Sequence, residues 1–177
     1  SNTLNQNNCT NFIVDLQEKG AFWGVSPETL FKISNDNFYT EALAGSFKPN
    51  VNIHSNKDKK EFDEHNFVLK YLKDALDEFS YNIKTYDYGI VQLNNISHIQ
   101  TKLESKLKDN FDAFDIIYKI HPTPAVAGDP KKLSIQNITI LEKHNRGWYS
   151  GTFGWIDNQF NSHFIVGIRS GIIKKDC

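Results

Sequence analysis

The chain has 177 residues, 39% hydrophobic and 13% aromatic, with a formal net charge of −1. That is apolar enough to bury one core within the roughly 100–200 residues of a single domain, and its charge gives no argument for nucleic acid or an anionic membrane as a partner. No apolar run approaches the ~18 residues of a transmembrane span, and the polar N-terminus SNTLNQNNCTN is no signal peptide, so the expected setting is cytoplasmic.

Residues 12 to 47 alternate β-branched and aromatic clusters with the turn residues Glu18-Lys19-Gly20, Ser26-Pro27 and Ser34-Asn35-Asp36-Asn37. This predicts three or four antiparallel strands. Pro27 lacks a backbone donor and holds Val25-Ser26 extended, so Ser26-Pro27-Glu28 is a bend at a strand end that presents Glu28. A solvated turn carboxylate is the plain alternative. Residues 49 to 56 are polar and irregular, and read as a flexible loop. After them Phe62, His65, Leu69, Leu72, Leu76 and Phe79 recur at spacings of three and four, which predicts a helix with one apolar face. Glu61 falls inside that face and Glu64 at its edge. Two carboxylates beside a buried stripe suit a hard cation such as Mg²⁺, or form a rim salt bridge to Lys57 or Lys60.

Residues 82 to 105 return to strand content, with His98 in an alternating run, where an edge or core histidine is the ordinary role. A helix is expected over Asp109 to Ile120, capped by Asp109 or Asn110, with Phe111, Phe114, Ile117 and Tyr118 on one face. The stretch His121 to Trp155 then holds three of the five prolines and four of the ten glycines. Its bends are heavily specified, as a scaffolded ligand site requires. Asp129-Pro130 offers an N-cap followed by proline for a helix to about Lys143, with Gly147 closing the linker. The last part reads as a hairpin about Asp157-Asn158-Gln159, in which Phe164, Val166 and Ile168 alternate with Ile165, Gly167 and Arg169. Arg169 is then an exposed strand arginine or, on a cleft wall, a two-point grip on a carboxylate.

Cys9 and Cys177 lie near the two ends, where a buried cross-link is not expected and a reducing cytosol leaves thiols free. The sequons at Asn95 and Asn137 carry no weight without a signal peptide. The chain has no methionine and stops at IRSGIIKKDC, directly after an alternating apolar run, so it reads as a segment of a longer protein. No repeat, Walker loop, dinucleotide fingerprint or cysteine metal cluster occurs.

Seven pieces taken in order resemble one family. GVSPETLFKI, YTEALAGSF, KEFDEHNFV, the strand around SHIQ, HPTPAVAGDP, RGWYSGTFGWID and FIVGIRSGII are similar to segments of the chorismate-utilising enzymes, which include isochorismate synthase, anthranilate synthase component I, aminodeoxychorismate synthase and salicylate synthase. The resemblance covers nearly the whole chain from about Gly20. It implies an α+β fold with large mostly antiparallel β-sheets flanked by helices, as in anthranilate synthase component I, and a single partial catalytic domain over 1–177.

Within the family HPTPAVAG is similar to the isochorismate and salicylate synthase version, and Ala44 stands where the aminodeoxychorismate synthases place a nucleophilic lysine. The implied nucleophile is therefore water, and the implied reaction is the Mg²⁺-dependent isomerisation of chorismate to isochorismate for menaquinone or siderophore synthesis. The resemblance assigns the general acid to Glu28 and metal carboxylates to Glu61 and Glu64. It assigns a substrate-lining turn to Gly45 and Ser46, and pocket positions to Ala44, His98, Ala125, Tyr149 and Arg169. The family's base, a lysine upstream of the SPE segment, and its GAG segment with a second glutamate pair have no counterpart here, and Lys174 and Lys175 match neither lysine position. These departures imply about two thirds of a catalytic domain, poorly active alone, with a monomeric parent and a fragment prone to self-association through exposed sheet. A salicylate synthase and a non-catalytic binding remnant are the other readings.

Overall fold

The computed structural model describes residues 9–49, 58–93 and 95–174. Lys57, Lys175, Cys177 and residues 50–56 of the loop expected over 49–56 lie outside the described residues.

The expected N-terminal strands are β1 (Thr10–Asp15), β2 (Ala21–Ser26), β3 (Thr29–Ser34) and β4 (Asn37–Phe47), with antiparallel pairing of β1 with β2 and of β3 with β4. The helix α1 (Lys59–Phe79) contains no glycine or proline, and it buries His65, Val68, Leu72, Leu76 and Phe79 on one face. Then come β5 (Ser80–Thr85), β6 (Gly89–Gln92), β7 (Ser97–Leu107), α2 (Ala113–Ile120), the short α3 (Pro124–Ala127), α4 (Lys131–Leu141), β8 (Thr152–Ile156), β9 (Ser162–Val166) and β10 (Ser170–Ile173).

Two sheets result. The larger runs β5-β7-β4-β3-β9-β8 with β6 added beside β7, and the smaller runs β1-β2-β10. Every strand pair is antiparallel, so the α+β expectation holds. α1 lies on the larger sheet against β4, β5 and β7, with α2 and α3 packed on α1. The core between them stacks Phe31 on Phe38 at 5.5 Å and meets Phe79 edge-on to Phe38 at 5.4 Å, geometries that aromatic quadrupoles favour.

The chain crosses between the sheets twice, and the crossings lie side by side. Ser26-Pro27-Glu28 carries it from β2 to β3, and residues 167–169 carry it back from β9 to β10. Val25 N–H donates to the Arg169 carbonyl at 3.1 Å, Ser26 Oγ donates to the Val166 carbonyl at 2.6 Å, and Val166 N–H donates to the Glu28 carbonyl at 3.1 Å. This double crossing buries Ser26, Pro27 and Glu28.

Four local expectations are corrected. The cap of α2 is Asp112, whose carboxylate accepts from Phe114 N–H and Asp115 N–H while Asp115 reciprocates, a closed box that Asp109 and Asn110 cannot form. Its buried residues are Ala113, Ile116 and Ile120, leaving Phe114 68% and Tyr118 84% exposed. A helix apolar on two sides has two candidate faces, and packing on α1 selects the aliphatic one. The second helix of the proline-rich stretch has Pro130 in the cap position and ends at Leu141. Arg169 is not in the hairpin strand: β9 stops at Val166, and Arg169 has φ +51°. The left-handed residue lets the chain leave one sheet and enter the other.

Candidate active site

Glu28 sits at the double crossing, 8% exposed. Its own N–H donates to Ser26 Oγ at 3.2 Å, and Thr123 Oγ1 donates to its Oε1 at 3.4 Å. Burial pushes the carboxyl up to about 7 because the charged form loses its hydration. The Thr123 hydroxyl opposes that rise and the nearby charge of Glu41 adds to it. Glu28 therefore exchanges its proton near neutral pH, as an acid catalyst requires.

A second group forms at the far end of β4. The ladder with β7 shifts register between Ala44 and Ser46, so Gly45 is an inserted residue with φ +75°. The bulge re-aims the chain beyond it, and Ser46 meets His98 with Oγ 3.2 Å from Nδ1. A Cβ at Gly45 would lie 2.6 Å from the Glu61 carbonyl oxygen. The missing side chain is thus what lets the start of α1 approach β4. Gly45→Ala is expected to destabilise the fold by about 2 kcal/mol through left-handed strain and that backbone clash, read from the midpoint of urea unfolding; an unchanged midpoint would show that α1 is placed otherwise.

Glu61 and Glu64 lie one turn apart at that start of α1, half-buried and exposed respectively. No ion pair among the described residues involves either, Lys60 included. His65 beside them turns inward instead, with Nε2 2.8 Å from Thr101 Oγ1. His98 is held below the ordinary histidine range by burial and by the Arg169 charge, against a Gly45 backbone bond and the Glu64 charge. Gly45, Ser46, Glu61, Glu64, His98 and Arg169 are thereby one neighbourhood. Among the described residues no group of three or more His, Cys, Asp or Glu converges on a metal position. The carboxylate pair offers hard oxygen donors of the type Mg²⁺ takes, which uses one or two protein carboxylates with water and substrate oxygens. The residues fit that ion in donor type.

Of the remaining expected residues, Ala44 is buried in the apolar cluster. Ala125 is exposed on α3, two positions from Thr123. Tyr149 is exposed, with the Arg146 guanidinium 5.8 Å from its ring centre. Its neighbour Ser150 donates N–H to the Gly167 carbonyl at 2.9 Å, next to the Val166 amide that holds Glu28. Thr123, Glu41 and Gln100 escaped sequence reasoning. For Thr123 the only signal was a hydroxyl between two prolines in a segment already marked as specified.

Comparison with known proteins gives these groups their context. A family model described as "Chorismate binding enzyme" matches residues 2–177. The chain belongs to the chorismate binding enzymes. Among curated members of known function, it is 32% identical to isochorismate synthase MenF of Bacillus subtilis, over 97% of this chain and 39% of that protein. It is 30% identical to the salicylate biosynthesis isochorismate synthase of Pseudomonas aeruginosa, over 86% of this chain and 34% of that protein. Among solved chorismate binding enzymes, MenF of Escherichia coli, the menaquinone-specific isochorismate synthase, superposes with TM-score 0.81 and 26% identity over 94% of this chain and 40% of that one. Anthranilate synthase component I of Streptococcus pneumoniae, 21% identical with TM-score 0.78 over 94% of this chain and 38% of that one, shares the fold. The chain spans about two fifths of the length of these relatives. Within the family it stands near isochorismate synthase. No helix of the described residues is long and apolar enough to cross a membrane.

Proposed function

We propose that the chain is the acid-bearing part of an isochorismate synthase, a partial catalytic domain working in the cytoplasm on chorismate for menaquinone or a siderophore. The observation that carries this is the Glu28 carboxyl, buried on the bend between two sheets with Thr123 Oγ1 against it, in a chain whose relatives bear that activity in their names. In the reaction water adds at one ring carbon and hydroxide leaves from another. Hydroxide is a poor leaving group, so a proton must reach the departing oxygen. An ordinary carboxyl near 4.5 would be protonated in roughly one molecule in 300 at pH 7, whereas burial pushes Glu28 up to about 7 and so keeps far more of it protonated there.

Other residues divide the remaining tasks. Arg169 offers a guanidinium for a substrate carboxylate. The Ser46–His98 pair and the Gly45 turn line the ring, with Ala44, Ala125 and Tyr149 as further wall. Because Ala44 carries no nucleophile, water is left to attack. Mg²⁺ held by Glu61 and Glu64 would neutralise the ring carboxylate. The base that activates water and further metal carboxylates are contributed by segments outside these 177 residues.

The test is product analysis after incubation with chorismate and Mg²⁺. The full-length protein forms isochorismate, and the 177-residue chain does so roughly 10²–10⁴-fold more slowly, the factor one missing general base removes. Equal rates refute the division of the site. Salicylate and pyruvate in place of isochorismate would make the protein a salicylate synthase, and no turnover by the full-length protein would leave a binding remnant.

A further inference from the structure

Where β3 leaves its pairing with β4, two side chains of β4 take up the backbone groups that the ladder no longer reaches. The ladder covers only Lys32↔Tyr39 to Ser34↔Asn37, and β3 shifts register against β9 between Thr29 and Phe31. Thr40 Oγ1 donates to the Leu30 carbonyl at 2.7 Å, and Thr29 N–H donates to Glu41 Oε1 at 3.3 Å. The second oxygen of Glu41 accepts from Gln100 Nε2 of β7 at 2.7 Å. Thr29 follows Glu28 directly, so the peptide after Glu28 is gripped at both ends: its carbonyl by Val166 N–H at 3.1 Å and its N–H by Glu41.

The clamp alone does not require a charge, because an amide oxygen accepts the same bond. What a carboxylate adds is a negative potential beside Glu28, in a half-buried place where charges are weakly screened. Burial raises the Glu41 carboxyl above its ordinary value; the bonds from Thr29 N–H and Gln100 oppose that rise, as do the charges that face this pair among the described residues, Lys102 on β7 and Lys32 on β3. Gln100 and Thr123 are the pair's neutral partners. We infer that Glu41 is a positioning residue for the acid: it fixes the Glu28–Thr29 peptide and sets a second carboxylate against Glu28, so that Glu28 keeps its proton for the leaving hydroxide. The inference rests on the reading of Glu28 as the acid.

The experiment is a carbon-13 NMR titration of the 177-residue chain labelled at its glutamate carboxyls, with the Glu28 signal assigned by its loss in Glu28→Gln. In Glu41→Gln, which keeps an acceptor for Thr29 N–H, the Glu28 midpoint moves down by about half a pH unit or more, as expected on removing a nearby like charge, while Thr29 amide exchange stays as in the parent. In Glu41→Ala the Thr29 amide also exchanges faster. A Glu28 midpoint that stays or rises in Glu41→Gln, with the spectrum otherwise native, overturns the electrostatic role; unchanged Thr29 exchange in Glu41→Ala overturns the clamp. In the full-length enzyme the alkaline limb of the kcat profile shifts to lower pH in Glu41→Gln, a change that a merely structural glutamate would not cause. Because the NMR midpoint is read without turnover, a Glu28→Gln enzyme that still reacts would remove the acid reading and leave the measured coupling intact.

Discussion

Glu28→Gln in the full-length protein lowers kcat for isochorismate formation by roughly 10²–10⁴, the contribution of one positioned general acid, and leaves KM for chorismate nearly unchanged. The asymmetry follows from the site. Glutamine has the shape of glutamate and can still accept the Thr123 hydroxyl bond that Glu28 Oε1 accepts at 3.4 Å, so the bound substrate meets the same wall. What is lost is an acidic proton for the departing oxygen, which matters only as the C–O bond breaks; an interaction made only in the transition state appears in kcat and not in KM. The measurement is steady-state kinetics with isochorismate quantified by chromatography. Turnover within tenfold of the parent would remove Glu28 from the role of acid and turn attention to Glu41, the other carboxylate of the crossing.

Much of the scaffold was readable from local chemistry. The turns at Gly20, Pro27 and Asn35 fell between strands because their backbone preferences act within a few residues, and α1 was legible because one face is apolar at helical spacing over five turns. The bend that presents Glu28 follows from Pro27 alone. What could not be read was set by partners distant in sequence. The burial of Glu28 depends on β9 and on the segment before α3, more than ninety residues downstream, and nothing near Glu28 in sequence records either. Arg169 continued a strand pattern, yet its conformation is fixed by the second sheet, which begins one residue later. The face of α2 failed for the same reason: Phe114 and Tyr118 are as apolar as the residues that α1 buries in their place. Glu41 was hidden by ordinary strand alternation, since a carboxylate at every second position is what a solvated sheet face also shows.

The same Glu28→Gln substitution stabilises the fold at alkaline pH. A carboxyl whose folded-state value is raised from 4.5 to about 7 costs nothing below pH 4.5, where folded and unfolded chains are both protonated. Its cost grows as pH rises from there to about 7, because only the unfolded chain can ionise freely, and it stays constant above. That interval corresponds to about 3 kcal/mol, reduced to about 1–3 kcal/mol by the new amide hydrogens that glutamine must satisfy in a buried place. Urea unfolding at pH 4 and pH 8.5 measures it: at pH 4 the variant's midpoint is equal to or below the parent's, because the cost of the amide hydrogens is present at every pH, and at pH 8.5 the variant has the higher one. A difference independent of pH would mean that Glu28 is not held protonated and that its burial is relieved in solution. A carboxylate kept for structure loses stability when it is neutralised, because its charge was matched by partners; one kept for its proton gains, because the fold carried the cost of an unmatched charge. Opposite signs for rate and stability in a single variant would therefore separate an acid catalyst from a buried structural glutamate.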